Sequence, residues 1–135
     1  EAARLDTGDT SAILHAGEIS SCYLAIGDRA RAEPFARKSL AAAAKARHRV
    51  GASLMMAHLA IIAFERNPRE AALLLGYAQA RLREEGWELM PPDSTLLPSL
   101  LADLHRALDD SELARLLDEG AALSDDRALS RALAA

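Results

Sequence analysis

Three copies of one pattern of helix-forming and turn-forming residues run along this sequence. With Ile19, Leu59 and Leu101 aligned, successive copies are offset by 40 and then 42 residues. Four further sets of positions fall into the same register: Ser20/Ala60/Ala102, Gly27/Asn67/Asp109, Ala32/Ala72/Ala114 and Phe35/Leu75/Leu117. Each copy has a bulky residue beside a small one, then a turn former, then a small and a bulky residue. Repeats of this length indicate stacked antiparallel helix pairs, because one pair cannot bury its apolar face alone.

The composition also favours helices. Ala and Leu provide 53 of the 135 residues, whereas Val occurs once and aromatic residues make up 4%. Ala and Leu are strong helix formers, and the residues that favour strands are scarce. We therefore predict an all-α fold, a tetratricopeptide-like α-solenoid of about three antiparallel helix pairs plus a C-terminal capping helix. A single domain, residues 1–135, would contain pairs at about 10–47, 50–86 and 99–120 and a cap at 125–133.

Turn-forming residues set the predicted helix ends. Gly27 and Asn67 each mark the point where one helix ends and the next begins, because Gly adopts a left-handed backbone and Asn caps a helix. Pro34 lacks an amide donor, so we expect the second helix to start late or to kink there. Three of the five prolines lie between Glu88 and Pro98, which predicts an extended linker rather than a helix.

The charge pattern argues against two classes of partner. The net charge is −4 and the isoelectric point is near 5.5, with acidic and basic residues interleaved. That pattern is typical of a solvated surface, so we predict no direct binding of nucleic acid. No apolar run approaches the roughly 18 residues needed to span a bilayer, so we predict no membrane partner.

The single cysteine and the first residues suggest the setting of the chain. Cys22 cannot form an internal disulfide, which suits the reducing cytoplasm, and we expect its side chain to be buried. The chain begins with Glu1, and residues 1–5 resemble the tail of an earlier helix. We therefore expect a C-terminal fragment of a longer multidomain protein. A homodimer would cover the apolar side that the first helix then exposes.

Three side chains of the first helix form a candidate metal site. His15, Glu18 and Cys22 share one helix face and could supply ligands to a soft divalent metal. The interpretation that we favour places Cys22 in the core and the other two side chains along a groove formed by the first helix of each pair. Ala16, Ser20, Ala57 and Ala60 would allow close packing there. No metal, cofactor or catalytic residue is therefore predicted.

His58 and Trp87 are the remaining candidates. His58 lies on an apolar helix, where it acts as a general base beside Ser53 or Cys22 or fills a polar gap between helices. We favour the gap, because the sequence shows no third group to orient the ring. Trp87 follows a helix-ending glycine, where an indole seals the core edge or anchors a partner, and we favour the seal. The candidate groove for a partner or ligand then comprises His15, Glu18, His58 and Trp87.

Two stretches carry a resemblance to a known family. Residues 71–78 read Ala-Ala-Leu-Leu-Leu-Gly-Tyr-Ala, and residues 113–124 read Leu-Ala-Arg-Leu-Leu-Asp-Glu-Gly-Ala-Ala-Leu-Ser. With the arginine-rich helix end at Arg83 and the Pro91-Pro92 linker, they resemble the C-terminal tetratricopeptide-like region of large bacterial ATP-binding transcriptional regulators. These are STAND-type regulators with LuxR-type or winged-helix DNA-binding domains. The resemblance covers residues 49–135, about two thirds of the chain.

The resemblance implies a cytoplasmic sensor arm used in signal transduction. Such an arm binds a small-molecule inducer or a regulatory protein and biases the ATPase and DNA-binding domains of its parent chain. This sequence has no Gly-x-x-x-x-Gly-Lys-Ser/Thr loop to bind ATP, so we expect no enzymatic activity from it. It also has no basic recognition helix that would bind DNA. The alternative is a freestanding helical-repeat adaptor, or a small helical protein that binds a metal or a ligand.

Overall fold

The computed structural model describes residues 15–135, and every regular element in this range is a helix. The first helix, α1, covers residues 15–25 of the described chain. The six that follow are α2 Arg29–Lys45, α3 Arg49–Ala63, α4 Pro68–Glu84, α5 Asp93–Ala107, α6 Asp110–Ala121 and α7 Asp125–Ala134. The predicted all-α class is confirmed. The expected helix in residues 1–5 and the start of the first pair lie outside the described residues.

Short polar side chains begin four of these helices. Asp28, Asn67, Asp109 and Ser124 each accept a hydrogen bond from the backbone amide three residues later. Each cap satisfies one of the amide groups that the first turn of a helix leaves without an intrahelical partner. The turns predicted around Gly27, Asn67 and Asp109 are therefore found where the sequence pattern puts them.

The late start expected for the second helix and the extended linker expected as far as Pro98 are both wrong. α2 begins at Arg29 and continues through Pro34, and α5 begins at Asp93 and continues through Pro98, so the extended linker ends six residues earlier than expected. Each proline is the sixth residue of its helix and removes one hydrogen bond near the helix start. Both prolines are exposed, so water can reach the backbone around them.

The core is built around α3, which packs against α2 on one side and α4 on the other. Most of α3 is buried, including Met55, Met56 and the segment from Ala57 to Ala63. The first two copies of the repeat bury equivalent small residues, Ser20 with Ala60 and Ala32 with Ala72. Small side chains at these positions allow the helices to approach closely.

The third copy departs from that register. Ala102 and Ala114 are exposed, and α6 packs mainly on α4 rather than on α5. α4 and α6 meet at two glycines: a Cβ built on Gly76 would lie 2.3 Å from the carbonyl oxygen of Leu117. A Cβ on Gly120 would lie 2.0 Å from the carbonyl oxygen of Leu73. The predicted third hairpin is therefore replaced by direct contact between α4 and α6.

The last helix lies back across the earlier helices. α7 contacts α3 and α4, and Arg37 of α2 donates to the carbonyl oxygens of Leu133 and Ala135 at 2.9 Å. Arg131 forms a bidentate pair with Glu70 at 2.7 and 3.0 Å. The predicted start of this helix is confirmed, but it connects α2, α3 and α4 instead of covering only the third copy.

Candidate functional site

An open groove of about 680 Å³ lies between α1, the start of α3 and the segment that joins α4 to α5. We call it the Trp87 groove. The described residues that line it are mainly apolar: Gly17, Glu18, Ser21, Cys22, Ser39, His48, Val50, Gly51, Leu54, Met55, Trp87, Leu89, Met90, Pro91, Pro92 and Asp93. A concave, largely apolar site with a few polar groups is the usual form of a ligand-binding pocket.

The polar floor of the groove is formed by Ser21 and Asp93, which belong to a hydrogen-bonded cluster centred on the buried His58. The Nδ1 atom of His58 lies 2.8 Å from Ser20 Oγ, and the Nε2 atom lies 3.0 Å from Asp93 Oδ1. The hydroxyl of Ser21 donates to the same Oδ1 at 3.0 Å. Because an ionised carboxylate only accepts, a neutral imidazole here carries its proton on Nε2 and accepts from Ser20 at Nδ1. This tautomer satisfies both ring nitrogens.

Three helices bring this cluster together. Ser20 and Ser21 are on the buried face of α1, and His58 is on the buried middle of α3. Asp93 is the first residue of α5, where the positive end of the helix dipole favours a carboxylate. The cluster therefore fixes the start of α5 against α1 and α3, and with it one wall of the groove.

The geometry does not make a nucleophile of either serine. Ser20 is completely buried, so its hydroxyl cannot touch a molecule in the groove. Ser21 lines the groove, but its hydroxyl donates to Asp93, and His58 Nε2 is more distant at 3.5 Å. A serine that directs its proton to a carboxylate instead of an imidazole base is not activated for attack. The cluster positions Asp93 instead.

The partners of His58 differ from those considered from the sequence. The hydroxyl of Ser53 is buried and has no hydrogen-bond partner among residues 15–135, and Cys22 is exposed. The expected burial of Cys22 is therefore wrong: the buried side of α1 includes Ser20, Ser21 and Leu24, and Cys22 is turned away from it. His58 does fill a polar gap between helices, and Asp93 is the orienting third group that the sequence did not reveal.

Trp87 does not seal the core. Its side chain is 48% exposed, and the nearby Met90 is 69% exposed. Both residues lie along the groove rim on the segment before α5. Gly86, which follows α4, has a left-handed backbone that redirects the chain there. Trp87 and Met90 thus expose large apolar side chains along one groove, and exposed apolar patches often mark a contact site.

The four predicted site residues occupy three different places. Glu18 and Trp87 line the same groove, and His58 lies beneath its floor. His15 lies on the neighbouring outer face of α1, in a second pocket that Glu18 and Cys22 also line. Within residues 15–135, no group of three His, Cys, Asp or Glu side chains is arranged to hold a metal ion, so His15, Glu18 and Cys22 do not form such a cluster.

A second polar cluster holds α7 in place. Tyr77 donates to Asp125 Oδ1 at 2.6 Å, and Arg49 donates to the same atom at 3.3 Å. Burial, together with the hydrogen bond to Asp125, raises the pKa of Tyr77 above its ordinary value. The bond from Tyr77, and then that from Arg49, lowers the pKa of Asp125. This cluster joins α7 to α3 and α4 and stabilises the ionised carboxylate.

None of the helices in the described part of the chain is long and apolar enough to cross a membrane. The segments that resemble the regulator family form the first half of α4 and the stretch from α6 to the start of α7. That resemblance stays a hypothesis, because it rests on these residues alone. No protein-family model, curated protein or solved structure matches this chain.

Proposed function

We propose that this protein is a non-catalytic binding domain and that the Trp87 groove is its ligand site. The observation that carries the proposal is the pairing of a half-exposed Trp87 and an exposed Met90 with a polar floor fixed by His58. Apolar side chains would supply contact area, and a few fixed polar groups would set orientation. Part of the site is built on the packed helices α1 and α3, and a wall that is ordered before a ligand binds lowers the entropic cost of binding.

The parent protein in this proposal is a cytoplasmic ATP-dependent transcriptional regulator of bacteria. The arm would receive a small-molecule inducer or a regulatory protein and pass the signal to the ATPase and DNA-binding domains. The resemblance of residues 71–78 and 113–124 supports this assignment. The tetratricopeptide-like arrangement belongs to the same proposal and is supported by the matching burial in the first two copies of the repeat.

The chain offers a direct test, because its one tryptophan and its one cysteine both line the groove. A neutral aromatic probe, N-phenyl-1-naphthylamine, is titrated into the protein while Trp87 emission is recorded. The proposal predicts a saturable change with one site per chain. Alkylation of Cys22 with N-benzylmaleimide should abolish that change, since the added group fills the groove.

The matched control is Cys22→Ser, which removes the thiol without adding bulk and should bind the probe as the unmodified protein does. A probe that leaves Trp87 emission unchanged would contradict the proposal. Binding that persists unaltered in the alkylated protein would place the site elsewhere on the surface.

A further inference from the structure

The Trp87 groove has an uneven charge. Among the described residues that line it, Glu18 and Asp93 bear carboxylates, and none is Lys or Arg. His48 stands at the edge, where its Nδ1 accepts the Gly51 amide at 2.9 Å and caps α3. Within residues 15–135, neither Glu18 nor Asp93 forms an ion pair with Lys or Arg. The groove therefore presents negative charge on an apolar surface.

Asp93 is held through one of its two carboxylate oxygens. Its two hydrogen bonds, from Ser21 and from His58, both end on Oδ1. The other oxygen, Oδ2, accepts no hydrogen bond from the described part of the chain. The Asp93 side chain is only 14% exposed, so a charge placed against it would be poorly screened by solvent. A fixed and partly desolvated carboxylate of this kind attracts a cation more strongly than one on the open surface.

Trp87 supplies a second attraction for the same kind of group. Trp87 stands half exposed at the rim, and an indole face attracts a cation more strongly than any other side-chain ring. Leu54, Met55 and Met90 offer polarisable and apolar surface beside it. One side of the groove thus favours positive charge, while the remainder favours hydrocarbon.

We propose that the Trp87 groove selects a small organic cation with an apolar body, such as an aryl-substituted or alkyl-substituted ammonium. Its charge lies between Asp93 Oδ2 and Glu18, and its apolar part lies against Trp87. This inference rests on the proposed function, because it names the chemical class of ligand for the same groove. It adds a charge preference that an apolar groove alone would not have.

The test compares tetraphenylphosphonium with tetraphenylborate, which have nearly the same size and shape and opposite charge. Trp87 emission and calorimetry report the binding of each ion, and N-phenyl-1-naphthylamine serves as the neutral reference. The inference predicts that the phosphonium binds at least about tenfold more tightly than the borate, a preference that weakens as salt is added.

Two variants place the charge preference in the groove. Glu18→Gln changes an exposed groove carboxylate to an amide of the same shape and should weaken phosphonium binding by roughly threefold to fivefold. The neutral probe should bind this variant unchanged. The control, Glu88→Gln, removes the same charge from a neighbouring exposed residue that does not line the groove, and it should alter neither affinity.

The outcomes separate this inference from the proposed function. Equal affinity for the phosphonium, the borate and the neutral probe would overturn the charge preference and leave a ligand groove in place. Phosphonium binding that is indifferent to Glu18→Gln would also overturn it. If none of the three probes changes Trp87 emission or releases heat, the groove is not a ligand site and both proposals fail.

Discussion

Replacing Gly120 with alanine is expected to lower the free energy of unfolding by about 2 kcal/mol. The new Cβ would lie 2.0 Å from the carbonyl oxygen of Leu73 on α4. Carbon and carbonyl oxygen rarely approach closer than about 3.3 Å, so α4 and α6 must separate by roughly 1.3 Å. Both atoms belong to backbone or are attached to it directly, so no side-chain rotation can relieve the contact.

The magnitude follows from two opposing effects. Overpacking of a tight contact typically costs about 1–3 kcal/mol, and a 1 Å gap also forfeits up to about half of the dispersion energy across the interface. Alanine in place of glycine inside a helix raises the free energy of unfolding by about 1 kcal/mol through its higher helix propensity. A cost near the top of the range, less that gain, leaves a net loss of about 2 kcal/mol.

Urea unfolding followed by far-ultraviolet circular dichroism measures this loss. Gly17→Ala is the matched control, because its Cβ would lie 3.3 Å from the terminal methyl group of Met55, which can move aside. That variant should be as stable as the parent or gain up to about 1 kcal/mol. If Gly120→Ala proves as stable as Gly17→Ala, the close contact between α4 and α6 is refuted.

Three further predictions concern polar contacts and one backbone angle. His58→Ala should lower the free energy of unfolding by about 3 kcal/mol, because it leaves Ser20 and Asp93 without their partner; a loss below about 1 kcal/mol in urea would contradict the cluster. Arg47 has φ of +56°, so Arg47→Gly should raise the unfolding free energy by about 1 kcal/mol, and a destabilised variant would argue against that conformation. Since the pKa of Asp125 is lowered in the folded protein, its contribution is present above its unfolded pKa, about 3.9, and is lost as pH falls through the folded value. Asp125→Asn should therefore be less stable than the parent at pH 7, with a difference that narrows as the pH falls below about 3.9; a difference that stays constant there would count against the linkage.

Local signals explain how much of the fold could be predicted. The turns at Gly27, Asn67 and Asp109 depend on residues within a few positions, so the sequence is enough to place them. The start of α5 was missed because prolines cluster before it, although Pro98 occurs early enough in the helix to be tolerated.

The packing of the third copy could not be predicted in the same way. It depends on Gly76 and Gly120, which lie on different helices and meet only in the folded chain. From the sequence alone, a single glycine inside a predicted helix indicates only that the helix is less stable. Only the partner backbone reveals that it marks a close contact.

The residues of the candidate site could likewise be predicted only in part. Glu18 and Trp87 could be singled out from the sequence because a polar residue on a helix face and an isolated indole are conspicuous. Asp93 and Ser21 could not, since their role depends on His58, which lies more than thirty residues from each of them. The adjacent Ser20 and Ser21 on an otherwise apolar helix face were the one local signal of a polar cluster in that region.

If the Trp87 groove is a ligand site, a ligand bound there should change the reactivity of Cys22. The thiol is exposed and lines the groove wall, so a molecule bound in the groove should shield it from a reagent. The rate of alkylation by iodoacetamide is measured with and without saturating N-phenyl-1-naphthylamine. We expect the reaction to be severalfold slower in the presence of the probe. An unchanged rate would contradict a ligand site in the Trp87 groove.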